Sequence, residues 1–182
     1  YVKWTPFDHP QFGRVEMGGV WKKYQGRVPP RFMNEELCHR NMAFSLYQAD
    51  EMPLVRLDDA EVERIGGDVY RVYVDITNPK VVPTVLAKAA QTGTVRPDLL
   101  LTEGRNVEVL AASFVDSKTV HKINPSVTPL VDQKDLKRIL IRNGQPGKAT
   151  RTAVLIVKGS GSVKVTYDSV KGGRASKTVA LK

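Results

Sequence analysis

The chain has 182 residues, of which 41% are hydrophobic and 26% charged, and its formal net charge is +9. That length can bury one good-sized core, and the composition is that of an ordinary globular protein. No apolar run approaches the roughly 18 residues a membrane-crossing helix needs, and Cys38, the single cysteine, excludes an intrachain disulfide and a cysteine-based zinc ribbon. On a helix, a lone cysteine reads as a small buried hydrophobe.

The positive charge is concentrated at one end. Residues 1–50 carry 7 Lys and Arg against 5 Asp and Glu, residues 51–110 carry 7 against 10, and residues 111–182 carry 14 against 4. Single-strand binding surfaces interleave cations with aromatic stacking platforms, and that last third offers only Phe114 and Tyr167. Nucleic acid is therefore an unfavoured partner. Lys158, Lys164, Lys171, Arg174 and Lys177 lie beside hairpins and strand edges, where cations guard against sheet-to-sheet aggregation. The same five residues define a candidate basic binding face.

The first twenty-one residues hold both tryptophans, two of the five phenylalanines and one of the three histidines, without a clear helical or alternating period. Chain ends fray and are polar unless something ties them down. An extended aromatic arm is expected over residues 1–33, with Trp4, Phe7, His9, Phe12, Glu16 and Trp21 meeting a preceding domain. Glu16, set among aromatics, needs a partner such as Arg14 or Lys22. The absence of Met at Tyr1 favours reading the chain as the C-terminal portion of a longer protein.

A basic linker, Lys22 to Arg31, ends in Val28, Pro29 and Pro30 and should be extended. Asn34 reads as a helix N-cap followed by Glu35 and Glu36 in the first turn, where carboxylates suit the helix dipole. A helix is expected over 34–50, with Met33, Leu37, Phe44 and Tyr47 as its core-packing stripe. From Leu54 the period becomes 2. Leu54–Ile65 and Val69–Thr77 read as a hairpin around Gly66, Gly67 and Asp68. In the second strand Tyr70, Val72, Val74 and Ile76 point to a core, while Arg71, Tyr73, Asp75 and Thr77 face water.

Further short β-type runs are expected at Val81–Ala90, Asp98–Leu101, Val107–Phe114 and Leu136–Ile141. Val115–Lys134, with Pro125 and Pro129, reads as a surface loop. Thr152–Lys158, Val163–Tyr167 and Ala175–Leu181 read as a closing β-meander. Residues 51–182 are thus expected to form a seven- or eight-stranded, immunoglobulin-like antiparallel β-sandwich, making the chain mainly β.

Little in the chain points to catalysis. His9, His39 and His121 lie in three separate elements and none belongs to a His-x-x-Glu or His-Glu-x-x-His motif, so zinc ligation is not expected. Gly147 to Thr150 mimics a phosphate loop, but Ala149 stands where the hydroxyl residue belongs. Glu61 and Glu63 share a strand face, and in so polar a segment they read as solvated carboxylates rather than an acid–base pair.

A resemblance adds to this. Trp4, Pro6, Phe7, His9, Pro10, Gly13, Val15, Glu16, Gly18 and Gly19 are spaced as in the segment that follows the catalytic domain of bacterial zinc carboxypeptidases of the carboxypeptidase A-like family. The Pro-Pro step and helix, Tyr70 to Asn78 followed by Pro83 and Thr84, and Val165 to Arg174 also resemble those proteins. Met17 replaces the more usual Ile, and Pro79-Lys80 departs from the expected turn.

The resemblance implies a non-catalytic accessory domain, with no cofactor of its own, that packs on its own upstream catalytic domain. That domain would hold the zinc and hydrolyse C-terminal peptide bonds in the periplasm or outside the cell. The alternative is a free-standing sandwich module that binds an acidic polymer, a carbohydrate or a protein through the basic C-terminal third.

Overall fold

The computed structural model describes residues 1–22, 29–116, 118–124 and 129–182. The basic linker expected from Lys22 falls mostly outside the described residues, as does Pro125 in the expected loop. The chain divides into two units, Tyr1–Ala49 and Asp50–Lys182.

In the first unit, β1 (Thr5–His9) pairs antiparallel with β2 (Gly13–Met17), and a 3-10 turn (Arg31–Met33) leads into α1 (Asn34–Asp50). The expected extended arm is therefore a hairpin, because Gly13 takes φ +70° at the turn and lets the chain reverse. Helix α1 spans the expected residues, with Glu35 and Glu36 in its first turn, but it buries no side chain. The stripe expected to be core is not one: Phe44 and Tyr47 are exposed, and so is Cys38. A two-stranded hairpin and one helix offer too little surface for a core.

The second unit is an antiparallel β-sandwich. One sheet runs β3 (Arg56–Gly66), β4 (Val69–Asn78), β8 (Ala149–Gly159), β6 (Val107–Val115) in spatial order. The other runs β10 (Gly173–Leu181), β9 (Gly161–Ser169), β5 (Asp98–Glu103), β7 (Arg138–Ile141). The inward residues come from alternate positions: Tyr70, Val72, Val74 and Ile76 on β4, Ala153, Leu155 and Val157 on β8, and Val163, Val165 and Tyr167 on β9. With Leu100 and Ile139 they form one core spanning both sheets.

Two features depart from the sequence reading. The closing strands are not a meander, because β8 and β9 belong to different sheets and the chain crosses between them at Gly159–Gly161. A Cβ at Gly159 would lie 2.0 Å from the Asn106 carbonyl oxygen, so only glycine permits that crossing. Val81–Ala90 is not a strand either. Pro79 and Pro83 deny the ladder its donors, and the segment runs irregularly before a short helix, α2 (Ala87–Thr92).

Side chains hold that irregular segment in place. Fully buried Asn78 donates to the Val82 carbonyl (2.9 Å) and accepts from the Lys80 amide (3.1 Å). The Thr84 hydroxyl accepts from the Gln145 amide (2.7 Å) and donates to the Asp98 carboxylate, which also accepts from the Tyr167 hydroxyl at 2.8 Å. Burial, and next the Asp98 charge, push the Tyr167 phenol pKa well above its ordinary value, so the hydroxyl stays protonated and donates. Gly147, the core of the phosphate-loop mimic, is needed for packing: a Cβ there would sit 1.8 Å from the Val81 carbonyl oxygen.

Candidate interaction site

The hairpin of the first unit is amphipathic by register. Phe7 faces Val15 and Thr5 faces Met17 on one side, while Asp8 faces Arg14 and Pro6 faces Glu16 on the other. His9 makes the turn between the strands: its Nδ1 accepts from the Gln11 amide (3.1 Å) and the Phe12 amide (3.3 Å). Its ring centroid lies 4.8 Å from that of Phe12 and 6.3 Å from that of Phe7. Phe12, His9, Phe7, Val15 and Met17 thus form one continuous apolar strip.

At the open end, the Val2 amide donates to the Val20 carbonyl (2.8 Å) and the Gly19 amide to the Val2 carbonyl (2.9 Å). The Trp4 ring lies so close over Gly19 that a Cβ there would come within 2.2 Å of it. Tyr1 meets Trp21 edge to face at 5.5 Å.

Of the six residues expected at an interface, Phe7, His9 and Phe12 share the apolar strip, Trp4 and Trp21 lie at the open end, and Glu16 lies on the charged face of the hairpin. It is exposed rather than set among buried aromatics, so it needs no charge partner. The exposures are large: Trp4 59%, Phe7 46%, Phe12 74% and Trp21 68%. Sequence reading named these residues from composition but missed the alternation that sorts them into two faces, because Pro6 and Pro10 obscure the period.

The five basic residues do not share one face. Lys164 and Arg174 lie on the outer side of the β9–β10 pair, where Arg174 stands opposite Asp168 and Lys164 opposite Glu103 on β5. Lys177, at an odd offset from Arg174, points to the other side and donates to the Asp58 carbonyl. Lys158 belongs to the other sheet, and Lys171 to the β9–β10 turn.

A polar constellation that the sequence did not reveal lies on the outer face of the β3-β4-β8-β6 sheet. The expected loop contains a helix, α3 (Lys118–Ile123), whose side chains come down on the β4 face expected to be wet. Tyr73 is 1% exposed there and packs with Val115 and Val154. A bulge at Leu110 switches the alternation of β6, so Ala111, Ser113 and Val115 face outward toward this helix.

Lys118 Nζ lies 2.8 Å from Asp59, 3.1 Å from Glu61 and 3.7 Å from Asp75, and Lys122 pairs with Glu61. The Lys118 hydrogen bond holds the Asp59 carboxyl below its usual range, and the Lys122 and Lys118 bonds do the same for Glu61. Lys118 is raised mainly by Asp59, and Lys122 by Glu61. His121, 6% exposed, sits with Nδ1 3.4 Å from the Tyr73 hydroxyl. Burial first, then the nearby Arg71 charge, lower its pKa.

As metal ligands these residues do not assemble. His9 spends its Nδ1 on turn amides and His121 faces Tyr73, and no group of three His, Cys, Asp or Glu comes together among the described residues.

No curated protein matches the sequence. Among solved structures, the GAE domain of GGA2p from Saccharomyces cerevisiae matches at 14% identity over 70% of this chain and 92% of that one. Its TM-score is 0.22, too remote to bear on function. Residues 54–180, which hold all eight sandwich strands but for the last residue of β10, match the model of the family described as domain of unknown function DUF8731. The chain belongs to that family.

Proposed function

We propose that this chain is a non-catalytic accessory region of a zinc carboxypeptidase of the carboxypeptidase A-like family, and that it packs on the catalytic domain through the apolar strip of its hairpin. The observation that carries the reading is the strip itself. Phe7, Phe12, Val15 and Met17 line one side of a two-stranded ribbon, and all but half-buried Val15 are exposed. A contiguous apolar patch of that kind marks an interaction site. The same residues belong to the sequence segment that resembles the stretch after those catalytic domains. In this reading zinc chemistry belongs to the catalytic domain, and the hairpin supports or walls the cleft.

The test is co-purification and sedimentation of this chain with a separately produced carboxypeptidase A-like catalytic domain. Binding that is lost in a Phe7→Ser, Met17→Ser double variant is expected. Chelator-sensitive hydrolysis of a C-terminal peptide bond by this chain alone would overturn the reading. The polymer-binding alternative is less well supported, since its five cations diverge over several surfaces.

A further inference from the structure

Each sheet of the sandwich ends in two edge strands, and three of these edges are guarded by bulges, backbone bonds or charge. β3 carries two register shifts and a row of acidic residues. β6 is bulged at Leu110, and its Ala112 carbonyl accepts from the Val131 amide (2.8 Å). On β10, Lys177 donates to the Asp58 carbonyl.

The fourth edge, β7, is covered by a side chain. The Lys137 carbonyl accepts from the Thr102 amide (2.8 Å) on the β5 side, so alternation turns the backbone groups of Arg138 and Leu140 to the open side. There the Leu140 amide donates to Gln133 Oε1 (2.9 Å), and the Leu140 carbonyl accepts from Gln133 Nε2 (3.0 Å). The side-chain amide thus makes the pair of bonds that a residue of a neighbouring strand would make.

The surroundings of this edge select its occupant. Ile139 belongs to the core, so Arg138 and Leu140 project from the outer face. A groove of about 520 Å³ lies there, lined by Gln133, Lys134, Asp135, Arg138 and Leu140. Residues 132–142 hold Lys134, Lys137, Arg138 and Arg142 against Asp132 and Asp135. None of these four cations has an ion pair among the described residues. A second copy paired through Leu140 would set Arg138 opposite Arg142, which like charge disfavours. An acidic strand meets uncommitted cations instead.

We propose that the β7 edge is a strand-addition site for an extended acidic peptide segment, and that the Gln133 side chain is its internal stand-in. The peptide takes over the two Leu140 bonds, as strands added to a sheet edge do. Its alternate side chains enter the groove, and its carboxylates meet Lys134 and Arg138. Release of Gln133 returns the rotamer freedom lost in holding the edge. This site lies in the second unit and does not rest on the reading of the hairpin.

The experiment is NMR titration of the full chain, observing the Leu140 backbone amide and the Gln133 side-chain amide. The probes are a blocked peptide alternating valine and glutamate, its counterpart with lysine for glutamate, and the acidic peptide fully N-methylated, which has no ladder donors. Saturable shifts at both groups are expected with the acidic peptide, and none with the other two. Gln133→Ala removes the internal competitor and should tighten binding, read at the Leu140 amide, by about three- to tenfold. Arg138→Gln should weaken it by about two- to fivefold and flatten its salt dependence. Unchanged or weaker binding by Gln133→Ala, equal shifts with the basic or N-methylated peptide, unchanged affinity in Arg138→Gln, or no shift with any probe would each overturn the proposal. So would concentration-dependent dimerisation of Gln133→Ala that the acidic peptide does not reverse, since the edge would then accept a second copy.

Discussion

Removing one oxygen from the sandwich, by Tyr167→Phe, tests whether the buried Asp98 network holds the fold together. Tyr167 is 1% exposed and its hydroxyl donates to Asp98 at 2.8 Å, while Thr84 donates to the same carboxylate oxygen. The other oxygen, Oδ1, is buried without a partner. The substitution keeps the ring and so leaves almost no cavity, but it takes away one of the two side-chain donors to this buried carboxylate among the described residues. A hydrogen bond to a charged group is worth about 1.5–3 kcal/mol net, and with Thr84 still in place a loss of about 2 kcal/mol is expected. In a domain of this size that corresponds to a fall in Tm of about 6–10 °C. Calorimetric unfolding at neutral pH measures it, and urea unfolding with an unchanged m-value checks that compactness is preserved. A fall of less than about 2 °C would refute the reasoning, since the hydroxyl would then be no better placed than in water.

Thr166 provides the converse. Its hydroxyl is buried without a partner, so Thr166→Val, which fits a strand equally well, should leave stability unchanged or raise it by up to about 1 kcal/mol in urea titration. Gly147→Ala should cost about 3 kcal/mol in the same assay, because its Cβ would be driven against the Val81 carbonyl and would break the Lys148 amide bond to Lys80 (2.8 Å). Acid should destabilise the sandwich in two separate windows. Since His121 is lowered in the fold, the unfolded chain takes up a proton first, and stability falls as pH drops below the ordinary value of 6.5. The groups acting on it are Arg71, Glu63 and Tyr73, and His121→Asn should abolish this first loss. Asp59 and Glu61 are also lowered, so their contribution disappears only as pH falls below their ordinary values of 3.8 and 4.5. Urea midpoints measured from neutral pH downward separate the two windows.

The sandwich was legible wherever alternation was clean. β4, β9 and β10 follow from Val72-x-Val74-x-Ile76 and its counterparts, and the Gly66–Asp68 hairpin from its glycines. Legibility failed where side chains replace ladder bonds. Val81–Ala90 has the hydrophobicity of a strand, yet its hydrogen bonds come from the nearby Asn78 side chain and, through Thr84, from Gln145, a partner 61 residues away that no local window contains. The outer-face site was hidden for a related reason. Arg71 and Tyr73 read as solvent-facing until α3 covers them, and only the Leu110 bulge turns Ser113 toward His121. On the hairpin, the aromatic residues were evident, but their sorting into two faces depended on a turn built by the His9 ring.

The position of β8 between β4 and β6 has a consequence for how the chain emerges during synthesis. Tyr70 pairs with Val157 and Val109 also with Val157, so neither earlier strand can form its β8 ladder until β8 has been made. The β3–β4 hairpin can close early, but its apolar side stays open to solvent and to other nascent chains in the meantime. The acidic stretch of β3, with Asp58, Asp59, Glu61 and Glu63, flanks that open surface. Their like charge disfavours pairing with the same stretch of a second unfinished copy, and Lys118 and Lys122, which pair with Asp59 and Glu61 in the fold, come later in the chain.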